Sequence, residues 1–355
     1  MACCLETLTA LAAFANKAES LQHETRKSGK ALIAALVIVL AACSPQQFTG
    51  NGKVTTRLSI ATGGTGGVYY PYGGGIARVI TEHLENVEAT AEVTAGTIDN
   101  IKFLHNGSAD IAFALADSVN DAIAGRGAFV DFGVVNLKVL AVLHTNYTHL
   151  VTLTNTNISH IGDLKDKVVS TGAPGSGTEI TAIRILKAVR LDPESDIRRQ
   201  RLGVVQSVDA LKDHKIDAFF WSGGLPTGSV LDLGATPGRT IKLISNIEAL
   251  NILQNNYGPS IYKRAVIPKS VYSGMQDDIP VVTVTNVLVA HDRMPRQLAY
   301  DITRLLFERR ADLVAIHAAA RELTFESAIV GSPAPLHEGA VTYYEEQQIL
   351  ENDSK

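Results

Sequence analysis

Cysteine is scarce in this chain of 355 residues, with Cys3, Cys4 and Cys43 as the three present. Everything after Cys43 therefore lacks a disulfide framework and a cysteine zinc site. The histidines show no H-E-x-x-H or other metal-ligand spacing, so we predict neither a metal nor another cofactor. Aromatic residues make up 6% and the net charge is −4, with scattered lysines and arginines, which argues against nucleic-acid binding.

Nucleotide and catalytic motifs are also missing. A dinucleotide loop beginning at Gly64 would need glycine where Tyr69 stands, and no lysine lies between Lys53 and Lys102 to complete a nucleoside-triphosphate loop. Ser176 is flanked directly by glycines, which does not match the G-x-S-x-G elbow of hydrolases. We predict that the protein is not an enzyme. Two alternatives stay open. One is a hydrolase or transferase with a two-lobed fold, and the other is a surface or signalling protein with that fold and no ligand.

The first 43 residues are predicted to be a leader. A basic stretch, residues 26–30, precedes an apolar run over 31–42. That run is shorter than the roughly 20 residues that span a bilayer, but it suits a signal-peptide core. It ends in Leu-Ala-Ala-Cys43, which resembles the bacterial lipobox, where the cysteine is lipidated. A plain secretory signal or an ordinary buried helix are the other interpretations.

The leader sets the predicted location of the protein. Residues 1–20 fit no signal n-region and indicate an upstream mis-start, and residues 44–53 read as a polar tether. We therefore predict an extracytoplasmic protein attached to the membrane through a lipid on Cys43.

The remaining chain alternates strand-like and helix-like apolar runs, the pattern of an α/β protein. Lobe one is predicted over 54–146 and 283–346, lobe two over 147–282, and a tail over 347–355. The long apolar stretches 137–153 and 281–290 would each cross between the lobes and leave a ligand cleft between them.

Three features recur in order in the two lobes, at nearly equal spacing. Each lobe has a glycine-rich loop after a strand, then Thr97 or Ser207 as a predicted helix N-cap, then Asp110 or Asp217 at the start of a strand. One such repetition is common by chance, whereas three in register indicate two similar lobes.

The two glycine loops, residues 62–67 and 171–178, could point backbone N–H groups at one anion at a helix N-terminus. Alternatively, they only permit tight strand-to-helix turns. Asp117, at the end of a predicted strand, could accept a ligand ammonium or hold a loop. Trp221, the single tryptophan, would line the cleft beyond a strand end or lie in the core. Thr97 could offer its hydroxyl to the ligand or spend it on its own helix.

Several motifs together resemble one family, the TAXI receptors of tripartite ATP-independent periplasmic (TRAP) transporters. The likeness covers about residues 54–346, and it adds to the lipobox the stretches TGGTGGVYYPYGGG (62–75), GAPGSGTEITA (172–182), IDAFFWSGGLPT (216–227) and PLHEGAVTYYEE (335–346). The resemblance implies a two-lobed periplasmic-binding-protein fold (type II-like). It also implies a receptor that delivers a small, glutamate-like carboxylate to an ion-gradient-driven permease.

The ligand contacts are predicted from the loops and the strand ends. No arginine clamp, as used by the dicarboxylate branch of these receptors, can be placed. Many relatives carry glutamine-containing sequence where Ala116-Asp117-Ser118 stands, and Asp117 would favour an ammonium and repel a second carboxylate. The predicted ligand-binding residues are Thr65, Gly66, Gly67, Val68, Tyr69, Thr97, Asp117, Ser118, Ser176, Gly177, Thr178 and Trp221.

Overall fold

Residues 55–350 are described by a computed structural model, and they form a mixed α/β fold around a single sheet. The predicted leader, tether and lipid-bearing Cys43 lie outside the described residues. The first half of the fold is a β-α-β-α-β unit of β1 (Thr56–Ala61), α1 (Tyr69–His83), β2 (Val87–Glu92), α2 (Thr97–Asn106) and β3 (Ile111–Leu115). Strand β1 lies between β2 and β3 and is parallel to both.

The second half repeats this arrangement with different residues. Its unit consists of β5 (Val168–Ser170), α4 (Gly177–Ala188), β6 (Arg198–Gln200), α5 (Val204–Lys212) and β7 (Ala218–Gly223). Strand β5 lies between β6 and β7 and is parallel to both, as β1 is to its neighbours. The sheet order is β2-β1-β3-β10-β4-β7-β5-β6, where β4 is Leu137–Leu153 and β10 is Ile279–His291. It places the two units on either side of a central antiparallel pair, β4 and β10.

The central pair carries the chain from one half to the other and back. Strand β4 (Leu137–Leu153) pairs with β10 (Ile279–His291) along its first part and with β7 near its end. Strand β10 pairs first with β9 (Tyr262–Ile267) and then with β3. These are the two predicted crossings, so the structure confirms the α/β class and its two halves joined by two strands. The finer lobe boundaries stay a prediction.

The other elements cover the faces and edges of the sheet. They are α3 (Ala116–Ile123), α6 (Gly228–Ala235), β8 (Ile241–Leu243), α7 (Leu250–Tyr257), α8 (Arg296–Glu308), α9 (Arg310–Ile316) and α10 (Glu338–Glu346). Buried side chains on both faces of each half form the core, with Phe113 in the first half and Phe219 and Phe220 in the second all fully buried.

The matched aspartates make the same contact in both halves. Asp110 accepts a hydrogen bond from the Ser59 amide at 2.8 Å and returns one from its own amide to the Ser59 carbonyl at 2.9 Å. Asp217 does the same with Val168, at 2.7 Å and 2.8 Å. Each carboxylate thus ties the start of the third strand of its unit to the first strand, which accounts for the repetition seen in the sequence.

The predicted N-caps are wrong by a few residues. Helix α2 has Gly96 as its N-cap and Thr97 as its first residue, and the Thr97 hydroxyl accepts from the Leu115 amide at 3.2 Å instead. Helix α5 has Gly203 as its N-cap, and Ser207 lies inside the helix, where its hydroxyl donates to Ser170 Oγ at 2.9 Å. In both cases a glycine leads the helix, and the hydroxyl one or more residues later bonds to a neighbouring strand or loop.

Helix α1 begins at Tyr69, so the Gly73-Gly74-Gly75 run lies inside the helix. Glycine is unfavourable inside a helix, but close packing explains two of the three. A Cβ at Gly73 would lie 2.5 Å from Thr62 Cγ2, and one at Gly75 would lie 2.7 Å from Ile316 Cδ1.

Candidate functional site

A cavity of about 450 Å³ lies between the two halves, at the carboxyl ends of the parallel strands. In open α/β sheets this edge is where ligands bind. The first half lines it mainly with the loop after β1, the loop before α2 and the end of β3. The second half contributes the loop after β5, the segment between β6 and α5, and the end of β7. Its size is that of a small-molecule site.

The first glycine loop presents only part of itself to the cavity. Gly67, Val68 and Tyr69 line it, and the Val68 and Tyr69 amides have no hydrogen-bond partner within residues 55–350. Thr65 and Gly66, which we predicted to bind ligand, line a separate groove on the other side of the loop together with Gly67. The structure therefore does not bring Thr65 and Gly66 to the cavity.

Gly67 lets the two halves approach each other closely at this loop. A Cβ on Gly67 would lie 3.0 Å from Cη2 and Cζ2 of Trp221, so any side chain here would press on the indole. Trp221 lines the cavity as predicted, and its Nε1 donates to Thr227 Oγ1 at 2.9 Å, away from any ligand. The indole thus offers the cavity a ring surface without a free donor.

The second glycine loop ends in a helix cap. Ser176 lines the cavity, but its hydroxyl accepts from the Glu179 amide at 3.1 Å and donates to the Ala173 carbonyl at 2.7 Å. The Ser176 hydroxyl is therefore bonded within its own turn, and its proton is not free for a ligand. The Gly177 and Thr178 amides, in contrast, have no partner in the described part of the chain and also line the cavity.

Each glycine loop also contacts a helix start of the other half. The Gly175 carbonyl accepts from the Ile98 and Asp99 amides of α2, at 3.1 Å and 3.2 Å. The Gly66 carbonyl accepts from Ser229 of α6, from the amide at 3.4 Å and from Oγ at 3.1 Å. We call these two sets of bonds the cross-half contacts. They place loop carbonyls on the positive ends of helices, where they are electrostatically favoured.

A chain of hydrogen bonds forms the floor of the cavity. The Tyr69 hydroxyl donates to Asn286 Oδ1, Asn286 Nδ2 donates to Asn146 Oδ1, and Asn146 Nδ2 donates to Ser222 Oγ at 3.2 Å. The Ser222 amide then donates to Thr178 Oγ1 at 3.2 Å. This chain runs from α1 of the first half, across both crossing strands, to α4 of the second half.

The direction of the chain leaves donors at the cavity. Asn146 is 2% exposed and has a second Nδ2 proton without a partner, and Ser222 is 6% exposed with a hydroxyl that donates to nothing within residues 55–350. Asn286 Nδ2 also lies 3.0 Å from His144 Nε2, which accepts from it when the ring proton is on Nδ1. Burial lowers the pKa of His144 to about 3, so the ring is uncharged at neutral pH.

Asp117 and Ser118 lie outside the cavity, contrary to their predicted role. Asp117 accepts from Arg184 Nη1 at 3.1 Å, from the Tyr262 hydroxyl at 2.7 Å and from the Ser118 hydroxyl at 3.1 Å. Arg184 also pairs with Asp121, and it lies over the Tyr257 ring at 3.9 Å. The first half supplies Asp117, Ser118 and Asp121 on α3, and the second half supplies Arg184, Tyr257 and Tyr262. Asp117 is therefore used to hold the halves together.

Arg201 is a cavity residue that the sequence did not reveal. Its Nε and Nη2 pair with the Glu179 carboxylate, and Nη1 has no partner among the described residues. The hydrogen bond to Glu179 raises the pKa of the Arg201 guanidinium, which stays charged. Asn146 and Ser222 were also missed. No motif surrounds Arg201 or Asn146, whereas Ser222 directly follows Trp221 within a stretch that the resemblance had already marked.

The lining is chemically one-sided. Among residues 55–350 it contains one arginine and several unpaired N–H and O–H donors but no aspartate or glutamate. Apolar side chains form the walls, namely Val68, Val93, Leu115, Leu202, Val204 and Trp221. The described part of the chain holds no cluster of histidine, cysteine and acidic side chains placed to bind a metal. Such a cavity suits a ligand with a negative group and an apolar part.

The match to a known family extends over residues 60–347, almost the whole described chain. The chain belongs to the NMT1-like family.

Similar solved structures are more distant. The periplasmic aliphatic sulphonate-binding protein of Escherichia coli is 13% identical, with 82% of this chain and 83% of that chain covered and a TM-score of 0.42. A protein of Bordetella bronchiseptica RB50 is 19% identical over 82% of both chains, with a TM-score of 0.45. The alkanesulfonate-binding protein of Xanthomonas axonopodis pv. citri is 14% identical over 82% and 83%, with a TM-score of 0.41. These similarities are too low to transfer a ligand.

Proposed function

We propose that this protein is an extracytoplasmic solute-binding receptor that captures a small organic carboxylate and passes it to a membrane permease. The observation that carries the proposal is the cavity between the two halves, to which each half contributes a glycine loop with unpaired amides at a helix start. Both walls are then needed to surround a ligand. Donors that face one cavity from two halves suit the capture of a small ligand.

The charge of the cavity supports an anionic ligand. Arg201 Nη1, the Asn146 amide nitrogen, the Ser222 hydroxyl and the Gly177 and Thr178 amides are all donors without a full set of partners. Charge-assisted hydrogen bonds to a carboxylate are stronger than neutral ones. The start of α4 adds the positive end of a helix dipole.

The finer assignment to the TAXI receptors of TRAP transporters rests on where the resembling stretches fall. Stretch 62–75 forms the first loop and the start of α1, stretch 172–182 forms the second loop and the start of α4, and stretch 216–227 contains the end of β7. All three contribute to the cavity lining. The fourth, 335–346, contains α10, which packs in the core.

The membrane link is proposed from the lipobox. No helix within residues 55–350 combines the length and apolar character needed to cross a bilayer. Replacing Cys43 with alanine is expected to release the protein from the membrane fraction and to abolish fatty-acid labelling. A Cys43→Ala protein that still sediments with membranes and still labels would contradict the anchor.

Binding is tested by a thermal-shift screen of small carboxylates followed by calorimetry. A ligand at 100 times its dissociation constant adds about 2.7 kcal/mol of stability. Arg201→Gln should weaken binding about tenfold or more, by loss of a charged donor. Arg199→Gln is the matched control, because Arg199 also pairs with Glu179 but does not line the cavity. Equal losses of affinity in both variants would show that the ligand does not bind at Arg201. Turnover of a bound compound would show that the protein is an enzyme and not a receptor.

The transporter class is tested by uptake of the bound compound into cells. With a TRAP permease, an ionophore that collapses the ion gradient should stop uptake while cellular ATP is maintained. Uptake that survives the ionophore and stops on ATP depletion would contradict the TRAP assignment and leave the receptor function standing.

A further inference from the structure

We infer that the ligand is an organic acid without an ammonium group, in which an apolar body carries the acid group. This inference rests on the proposed function and narrows its ligand class, and it departs from the glutamate-like ligand that the sequence predicted. Its basis is the chemistry of the lining, in which Arg201 is the one charged side chain among residues 55–350 and the buried Asn146 and Ser222 keep unused donor protons.

The floor of the cavity is committed to donation by its own bonding. Turning the Asn146 carbonyl toward a ligand would give up the bond that Oδ1 accepts from Asn286, whose own Oδ1 accepts from the Tyr69 hydroxyl. The second Nδ2 proton of Asn146 is therefore the group that faces the cavity. Rotating the amide would place two N–H groups, or two oxygens, against each other along the chain, at a cost of at least one buried hydrogen bond.

The carboxylate that could have received an ammonium is consumed elsewhere. Asp117 is 1% exposed and bonded to Arg184, Tyr262 and Ser118. Glu179, behind the cavity rim, is shared by Arg199 and Arg201. An ammonium entering the cavity would thus meet the guanidinium of Arg201 and no side-chain anion of the described residues.

An α-amino acid should bind more weakly than the matching simple acid. Its carboxylate could bind as the carboxylate of a simple acid does, but its ammonium would lose water without gaining a charged partner. The positive ends of α2 and α4, which begin at the cavity, add to the repulsion. The apolar walls favour a hydrocarbon or aromatic body in the volume that is left.

Matched compounds that differ at one carbon test the inference by calorimetry on the purified protein. The acids are 4-methylpentanoate, 3-phenylpropanoate and glutarate, and their partners with an α-ammonium are L-leucine, L-phenylalanine and L-glutamate. We expect at least one acid to bind and its amino-acid partner to bind at least about tenfold more weakly. The 2-hydroxy derivative of that acid controls for size, because it carries a neutral group of similar volume. It should bind much more tightly than the amino acid.

Two variants each add a negative charge to the lining of the cavity. Asn146→Asp keeps the shape of the floor and adds an acceptor, so it should weaken acid binding and narrow the gap to the amino acid. Gln206→Glu adds a carboxylate at an exposed lining position, where folding is not at risk, and should act in the same direction more weakly.

The outcomes separate this inference from the receptor function. An amino acid that binds as tightly as its matched acid would overturn the inference and leave the receptor function in place. Rejection of the hydroxy acid to the same degree as the amino acid would make the selection steric, which also overturns it. If none of the compounds raises the melting temperature or gives heat with folded protein, both the inference and the proposed carboxylate receptor fail.

Discussion

The two halves of this protein share a topology but contribute differently to the cavity. Each has a parallel β-α-β-α-β unit, a glycine loop and an aspartate that ties its third strand to its first. The first half supplies a helix start without a side-chain cap, and no charged residue. The second half supplies Arg201, the Ser176 cap, the Ser222 hydroxyl and the indole of Trp221.

This difference shows that repeating a fold does not repeat its chemistry. The backbone arrangement that brings amides to the cavity follows from topology, and both halves have it. Charge and hydroxyl groups depend on individual side chains, and they have accumulated on one side. If the ligand is an acid with an apolar body, as proposed above, we expect it to bind in one orientation, with its acid group toward the second half.

The largest effect is expected from the buried network of Arg184, which joins the two halves. Arg184→Met leaves Asp117 buried without its cation and Asp121 with only the more exposed Arg126, which should lower the free energy of unfolding by about 3–5 kcal/mol. Urea denaturation measures it. Arg304→Met, which removes more exposed ion pairs on α8, is the control and should cost about 0–1 kcal/mol. Similar small losses in both would mean that the network does not stabilise the fold.

Acid should destabilise the central strand β4 through a buried histidine in each half. Burial lowers the pKa of His144 to about 3 and that of His149 to about 4. In the unfolded chain the two rings take up protons below about pH 6.5, whereas in the folded chain they stay neutral. The free energy of unfolding therefore falls as the pH drops from about 6.5 toward 4.

At pH 4 each ring should lower the free energy of unfolding by on the order of 1–3 kcal/mol, and urea denaturation at several pH values measures this loss. His149→Gln removes one of the two titrating groups, so its stability should depend less steeply on pH than that of the parent. An unchanged slope would show that carboxylates, and not His149, dominate the acid response.

The contact between Gly67 and Trp221 tests how tightly the halves must approach. Gly67→Val should raise the dissociation constant about tenfold, since overpacking costs about 1–3 kcal/mol, and should shift the emission of Trp221. Calorimetry and fluorescence measure the two effects. Gly74→Ala is the control at an exposed helix position with no atom within 4 Å of the added Cβ. It should stabilise the protein by about 0.5–1 kcal/mol and leave binding unchanged. If the parent and Gly67→Val bind the ligand equally well, the ligand does not bind next to this loop.

The cross-half contacts give the smallest expected effects and the most direct comparison of the loops. Gly175→Ala places a Cβ at φ +81° and 2.4 Å from Asp99 Oδ1, and should cost about 1–2 kcal/mol of stability. Ser229→Ala removes a single hydrogen bond to Gly66, worth about 0.5–1.5 kcal/mol. Thermal denaturation should rank Gly175→Ala below Ser229→Ala in stability, and the opposite ranking would contradict the roles given to the two loops.

Local pattern and repetition were enough to predict the frame of the molecule. The crossing strands, the glycine loops and the paired Asp110 and Asp217 could all be read from spacing, since each depends on neighbours in the chain or on a repeated motif. Trp221 was placed at the cavity because strand ends meet at one edge of a parallel sheet.

Contacts between distant segments could not be predicted in this way. Asp117 meets Arg184, 67 positions away, and nothing in either local sequence signals the pairing. Arg201 follows a strand of three residues that carries no motif. The helix starts were displaced because glycines serve as N-caps at Gly96 and Gly203, where hydroxyl-bearing residues were expected.

Asn146 and Asn286, at the centre of the floor, lie on the two crossing strands, whereas Val68, Val93 and Leu202 of the walls lie on loops or at a helix start. Strand backbones in the middle of a sheet are fixed by neighbours on both sides, whereas loops tolerate substitution and changes in length. Mutations in the loops around Val93 or Leu202 could therefore change which ligand body fits without disturbing Asn146. Descendants of this protein would be expected to diversify in the size and shape of the ligands they bind sooner than in the proposed preference for an acid.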